Sequence, residues 1–105
     1  MTSVELKAIG ERINARRKQL NYTQEQIAEK MDVSVQMVSN LERGNKAIKI
    51  ENLLKISQIL NISTDYILTG RHTEQDVATV SDQLGQLSET DFKMIAMLIE
   101  YCLNK

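Results

Sequence analysis

The sequence predicts an all-α protein. Its 105 residues contain no proline and only four glycines, so it lacks the turn residues that a sandwich or barrel of many short strands needs. Apolar residues recur at intervals of three and four, as on the buried face of a helix. Several of these stretches follow a serine or threonine that can cap a helix. The length fits one small domain with an appendage.

The first predicted helix covers residues 4–20. Its apolar face consists of Leu6, Ile9, Ile13 and Leu20. Gly10 lies inside this helix, where a glycine costs about 1 kcal/mol relative to alanine. We therefore expect another element to pack closely against Gly10.

Two short helices follow, and both have clear start signals. Thr23 and Gln26 form a capping box that begins a helix ending near residue 31. Ser34 caps the next helix, over 35–43, which Gly44 ends in a left-handed conformation. This arrangement needs a small residue where the helices cross and apolar residues around it. Ala28 is the small residue, and the apolar positions are Ile27, Met31, Val33, Val38 and Leu41.

A fourth helix is predicted over 50–60, after a polar loop. The residues expected to face inward are Ile50, Leu53, Leu54, Ser57 and Leu60. Ser63 caps a short fifth helix that ends at Gly70. Residues 71–87 fit either a linker or a helix, and Ser88 caps a last helix over 89–103. The predicted division is a domain of residues 1–70 and a C-terminal helical segment of residues 71–105.

The last helix is apolar nearly all round. Between Phe92 and Leu103 only Lys93 and Glu100 are charged or strongly polar, so the helix must be buried on several sides. A second copy of the chain would bury it, and the alternative is a tail folded over its own domain. The predicted dimerisation residues are Phe92, Ile95, Leu98, Ile99 and Cys102.

Charge is distributed unevenly. Residues 1–71 hold eleven basic and eight acidic side chains, whereas residues 72–105 hold two basic and six acidic ones. The first part is therefore net positive although the whole chain has a net charge of −1. A basic first part is compatible with nucleic-acid binding, and the whole-chain charge is misleading here.

Other classes of protein have little support. One cysteine and one histidine exclude a disulfide framework and argue against a metal site. There is no phosphate-binding glycine loop and no nucleophile with a paired base, so we expect neither enzyme activity nor a cofactor. The N-terminus does not have the pattern of a signal peptide, and no apolar run is long enough to span a bilayer. We expect a cytoplasmic protein without membrane contact.

Residues 9–70 resemble the Cro/repressor type of helix-turn-helix domain, the xenobiotic-response-element family of bacterial and phage transcription regulators. The resembling runs are TQEQIA at 23–28, VSNLERG at 38–44, LLKI at 53–56 and STDYILTG at 63–70. The resemblance implies a five-helix, phage-repressor-like DNA-binding domain that binds operator DNA as a dimer. Asp32 stands where the family usually has glycine, and aspartate tolerates the left-handed conformation better than most residues.

The resemblance also implies roles for single residues. The base-reading positions are Val35, Gln36, Ser39 and Asn40. Glutamine and asparagine can pair with adenine through two hydrogen bonds, and valine can contact a thymine methyl group. The phosphate-binding positions are Gln24, Arg43, Asn45 and Lys46. Arg17 and Glu42 match an ion pair of the family that fixes the recognition helix.

The sequence thus predicts a transcriptional regulator, specifically a repressor, that binds a palindromic double-stranded DNA operator as a homodimer. Two alternatives remain open. The chain could be the antitoxin of a toxin–antitoxin pair, with its apolar tail holding the toxin. It could also be an interaction module whose tail docks a protein antagonist or another partner helix.

Overall fold

The protein, described here by a computed structural model of residues 1–105, consists of seven α-helices and contains no strand. The helices are α1 (Ser3–Gln19), α2 (Gln24–Met31), α3 (Val35–Arg43), α4 (Ile50–Leu60), α5 (Thr64–Thr69), α6 (Glu74–Gly85) and α7 (Glu89–Leu103). The all-α prediction is confirmed, and most of the segment that fitted either a linker or a helix is helix α6. None of the helices combines the length and the apolar character that crossing a bilayer requires. The chain forms two compact units, Met1–Thr73 and Glu74–Lys105.

Four of the helices begin at the caps that the sequence predicts. The side chains of Thr23, Ser34, Ser63 and Ser88 each accept a hydrogen bond from the backbone N–H three residues further on. Each cap thereby satisfies one of the N–H groups that a helix start leaves without an internal partner. Thr2 caps α1 in the same way, so this helix begins at Ser3, one residue before the predicted start.

The first unit has a continuous aliphatic core. Its buried residues come from α1 to α5, and the central ones are Ile9, Ile13, Ile27, Ala28, Met31, Val38, Ile56, Leu60 and Ile67. The helix-turn-helix pair lies against α1 and α4, because α3 packs on α1 and α2 packs on α4. The core therefore fixes α2 and α3 from the side opposite to their exposed surfaces.

At Gly10, α1 lies directly against the backbone of α3. A Cβ atom at Gly10 would overlap the backbone carbonyl oxygens of Leu41 and Glu42. The close packing that the sequence predicts at this glycine is confirmed. Only a residue without a side chain lets the C-terminal turn of α3 lie directly on α1.

The predicted inward face of α4 is partly wrong. Ile50 and Leu54 are 79% and 52% exposed, whereas Asn52 and Ile56 are buried. The helix is anchored by Leu60, and the helical repeat counted back from that residue places positions 56 and 52 inward. Leu53 and Ser57 are partly buried beside this row. The prediction counted the helical spacing from Ile50, whereas the packed face is the one that contains Leu60, Ile56 and Asn52.

The second unit contains well-formed helices without a core. Neither α6 nor α7 contains a buried residue, and every extensively packed helix pair lies in the first unit. The apolar face of α6 includes Val77 and Val80, both of which are exposed. The cap of α7 at Ser88 is formed, while apolar residues of both helices stay exposed.

Candidate nucleic-acid interface

The turn between α2 and α3 is tight and well hydrogen-bonded. Asp32 adopts the left-handed conformation with φ 58° and ψ 48°, so aspartate takes the place of the usual glycine here. The backbone N–H of Val33 donates to the carbonyl of Ala28 over 3.0 Å. Val33 itself packs against the core, and Ser34 then caps α3. The start of α3 is thus fixed by the three residues that precede it.

Helix α3 has one buried face and one outward face. Val38 and Leu41 point into the first unit. The outward face, which we call the α3 face, carries polar or small side chains without negative charge. It consists of Val35 and Gln36, which are exposed, and Ser39 and Asn40, which are half-buried.

The polar side chains of the α3 face are joined in one hydrogen-bonded cluster. Gln36 Nε2 donates to Asn40 Oδ1 over 3.2 Å, and Arg43 Nη2 donates to the same oxygen over 2.9 Å. Arg43 Nη1 donates to Ser39 Oγ. The structure therefore brings Arg43, predicted as a phosphate contact, together with three of the predicted base-reading positions. Val35, the fourth, begins the same face one residue after the cap.

A second cluster surrounds the carboxylate of Glu42, whose side chain is only 4% exposed. Arg17 donates to it twice, from Nε to Oε2 over 2.7 Å and from Nη2 to Oε1 over 3.0 Å. Asn14 Nδ2 and Gln24 Nε2 also donate to Oε1, over 2.7 and 3.0 Å. This carboxylate at the end of α3 accepts from donors on two helices, α1 and the start of α2, and thereby ties the three helices together.

Burial raises the pKa of Glu42, but the hydrogen bonds from Arg17, Asn14 and Gln24 and the Arg17 charge outweigh burial and lower the pKa below its ordinary value of 4.5. The hydrogen bond to Glu42 is also the main reason why the pKa of Arg17 is raised. Both side chains are thus held in their charged forms. A charged, fully hydrogen-bonded pair in this position fixes α3 relative to α1 and α2.

The remaining predicted phosphate contacts lie at the borders of the α3 face. Gln24 is the first residue of α2, where helix N–H groups attract anions, but its side-chain amide is occupied by Glu42. Asn45 and Lys46 are exposed in the loop that follows α3. The backbone N–H of Asn45 donates to the carbonyl of Asn40 over 3.0 Å and anchors this loop to α3.

Sequence reasoning missed Asn14. Its partner Glu42 lies 28 residues away along the chain, so no local pattern signals the contact. The only available hint is that Asn14 and Arg17 are three residues apart and thus share one face of α1. The buried Asn52, whose amide faces the sulfur of Met37 at 4.0 Å, was likewise not predicted.

The predicted dimerisation residues all lie on α7 in the second unit. Each is exposed, including Phe92 at 48% and Ile99 at 47%. Residues on the other sides of the same helix are exposed too, among them Met94 and Met97. The structure therefore presents an apolar helix surface of about three turns to the surroundings.

Comparison with known proteins identifies the class. The family model HTH_3, described as helix-turn-helix, matches residues 13–67, which is more than half of the chain. RstR, the cryptic phage CTXphi transcriptional repressor of Vibrio cholerae, is 33% identical over 97 residues, covering 90% of this chain and 87% of RstR. The chain belongs to the helix-turn-helix family and is a Cro/repressor-type regulator, which confirms the resemblance found in the sequence.

Two solved structures are similar in fold. One is the crystal structure of the P22 c2 repressor in complex with synthetic operator 9T, which superposes with a TM-score of 0.58. The superposition covers 60% of this chain and 96% of that one, and the sequence identity is 41%. The sequence match to the repressor protein C2 of Salmonella phage P22 covers only 32% of the length of that protein. The SinR protein/SinI protein complex shows the same fold over 92% of this chain and 99% of that one, with 24% identity and a TM-score of 0.60.

Proposed function

We propose that this chain is a homodimeric repressor that binds a palindromic operator in double-stranded DNA. The observation that carries the proposal is the α3 face: an outward, uncharged polar surface on a short helix that the core and the Glu42 cluster hold in place. A helix of this kind fits the major groove of B-DNA, with its N-terminal half against the base edges. The operator complex of P22 c2 and the repressor name of RstR support the same reading.

Each part of the interface then has a role. Val35, Gln36, Ser39 and Asn40 contact base edges. Gln24 contributes α2 backbone N–H groups to a phosphate, and Arg43, Asn45 and Lys46 bind the backbone on the other side of α3. A dimer that neutralises about six to ten phosphates loses about three to five decades of affinity between 50 and 200 mM salt.

In this proposal, α7 forms the dimer interface. One domain contacts few base pairs, and two domains joined by a two-fold axis gain affinity because the second contact becomes intramolecular. Half-sites are then about one DNA turn apart. The exposed apolar residues of α7, including Ile95 and Leu98, supply a surface that a second α7 buries.

A protein partner is the second candidate occupant of α7, and the same exposed surface supports it. An antitoxin or an interaction module would use α7 for a different protein and leave the pure chain monomeric. Sedimentation of the purified chain separates the two: a dimer at micromolar concentration supports the homodimeric regulator, and a monomer supports the alternative.

The test of the base-reading role uses duplexes selected from a random pool by the wild-type chain. Gln36→Ala or Asn40→Ala is expected to weaken binding to the selected operator by about 1–3 kcal/mol and to relax preference at one base position per half-site. Gln58→Ala, which removes an exposed glutamine on α4, is the matched control and should change neither quantity. Uniform loss over all sequences, or no loss, would refute the proposed role of the α3 face.

A further inference from the structure

Arg43 contacts two of the residues proposed to read bases. Its two terminal nitrogens donate to Ser39 Oγ and, over 2.9 Å, to Asn40 Oδ1. The same Asn40 oxygen accepts a hydrogen bond of 3.2 Å from Gln36 Nε2. Arg43 therefore stands at the end of a chain of contacts that runs along the α3 face through Asn40 to Gln36.

The chemistry of the guanidinium group determines how the side-chain amides of Asn40 and Gln36 are oriented. A guanidinium group has five donors and no acceptor, so the Asn40 atom that faces Arg43 must be the oxygen. The Gln36 atom that faces this oxygen must then be the nitrogen. Asn40 is left with its amide N–H groups directed away from Arg43, and Gln36 is left with its carbonyl oxygen and one N–H for other partners.

On the basis of the proposed function, we infer that Arg43 is a positioning residue that sets the base preference of the α3 face. With its oxygen occupied by two donors, Asn40 offers only donors and matches an edge with acceptors only, as guanine presents with N7 and O6. Gln36 keeps an acceptor and a donor and matches adenine N6 and N7. Although both side chains end in the same amide group, Asn40 and Gln36 thus read different bases.

Positioning Asn40 and binding a phosphate require different side-chain chemistry at position 43. A phosphate contact needs positive charge, which lysine also supplies, whereas the positioning role needs the planar fork of donors, which lysine lacks. Arg43 has three further N–H groups beyond the two it uses on Asn40 and Ser39, so it can also contact a phosphate. The substitution Arg43→Lys separates the two contributions.

The experiment measures the affinity of the full chain for the selected operator and for its three single-base alternatives at each position. In the wild type, the preferred base at the Asn40 position is favoured by about five- to 150-fold. Arg43→Lys is expected to reduce this ratio by about fivefold or more, at the positions that Asn40→Ala and Gln36→Ala identify. Arg71→Lys, an exchange at an exposed residue after α5, is the control and should leave the ratios unchanged.

A double-mutant comparison completes the test. If Arg43 acts through Asn40, Arg43→Lys added to Asn40→Ala should not change the preference at the Asn40 position further. The inference is overturned if Arg43→Lys weakens binding to all sequences alike, or if it changes no ratio. In both cases the wild type still selects an operator, whereas failure of the proposed function appears as no selected sequence at all.

Discussion

The two compact units of this chain use the same local signals and have opposite outcomes in packing. Ser34 begins α3 and Ser88 begins α7 with the same type of cap. Helix α3 buries Val38, Leu41 and Glu42, whereas α7 buries nothing. Caps and helical periodicity therefore decide where helices form, and a separate set of long-range contacts decides whether a unit completes its own core. The first unit has such contacts, and the second leaves apolar residues exposed.

The ion pairs of the two units show the same contrast. Arg17 and Glu42 are 2.7 Å apart with side chains 12% and 4% exposed, whereas Lys93 and Glu89 are 3.2 Å apart with side chains 70% and 85% exposed. Removal of one partner from a buried pair leaves an uncompensated charge, but an exposed pair is well solvated with or without its partner. The first pair is therefore part of the architecture, and the second is a surface feature.

The largest effect is expected from disrupting α7. Ile95→Asp combined with Ile99→Asp places two charges on the proposed dimer surface, which should make the chain monomeric and lower operator affinity by about 10²- to 10⁴-fold. Sedimentation and DNA binding at matched concentration measure both effects. Gln86→Asp combined with Thr90→Asp, at exposed polar positions, adds the same charge and should preserve the dimer. A variant at 95 and 99 that still dimerises would disprove the α7 interface.

The next largest effect is the loss of stability when the acidic partner of an ion pair is removed. Glu42→Ala should destabilise the folded chain by about 3–5 kcal/mol, because Arg17 loses its partner in a buried site. Glu89→Ala should cost less than about 1 kcal/mol. Urea unfolding at one protein concentration compares the two variants. Equal losses would show that burial does not distinguish the pairs.

The Glu42 pair also predicts a dependence on pH. Because folding lowers the pKa of Glu42 below 4.5, its contribution to stability is fully present above that pH and is lost as the pH falls below it. Glu42→Gln should therefore flatten the acid side of a plot of unfolding free energy against pH. The pKa of Glu5 is also lowered, mainly by its hydrogen bond from Thr2, so the difference between wild type and variant is the informative quantity. Parallel curves would contradict the role given to Glu42.

The smallest effects come from one substitution made in both units. Gly10→Ala should destabilise the chain by about 1–3 kcal/mol, because the added methyl group overlaps the α3 backbone. Gly85→Ala should instead stabilise α6 by up to about 1 kcal/mol, because apart from the adjoining helix backbone nothing lies within 4 Å of the added group. Thermal melts of both variants show whether each substitution lowers or raises the melting temperature. A stabilising Gly10→Ala would show that α1 and α3 are less closely packed than described.

The same contrast explains how far the sequence could predict the structure. Caps at Thr23, Ser34 and Ser88 are local interactions within four residues, and all are present. The inward face of α4 depends on how the helix is rotated against the others, and the helical spacing counted from Ile50 placed that residue inside although it is exposed. Local signals therefore predicted the elements more accurately than their packing.

The candidate site shows the same limit. The positions that the family resemblance implied for base reading, Val35, Gln36, Ser39 and Asn40, all lie on the outward face of α3, and this placement follows from one helix and its turn. The donation from Asn14 to Glu42 links residues 28 positions apart, and the occupied side chain of Gln24 depends on the same tertiary contact. Neither could be predicted without knowing how α1, α2 and α3 are packed together.

The structure of the full chain bound to its selected operator tests the central claim most directly. The account predicts two copies on one duplex, each with α3 in the major groove and with the side-chain amides of Gln36 and Asn40 within hydrogen-bonding distance of base edges in both half-sites. A complex in which α3 lies outside the groove, or in which only one copy can reach the duplex through this face, would contradict it.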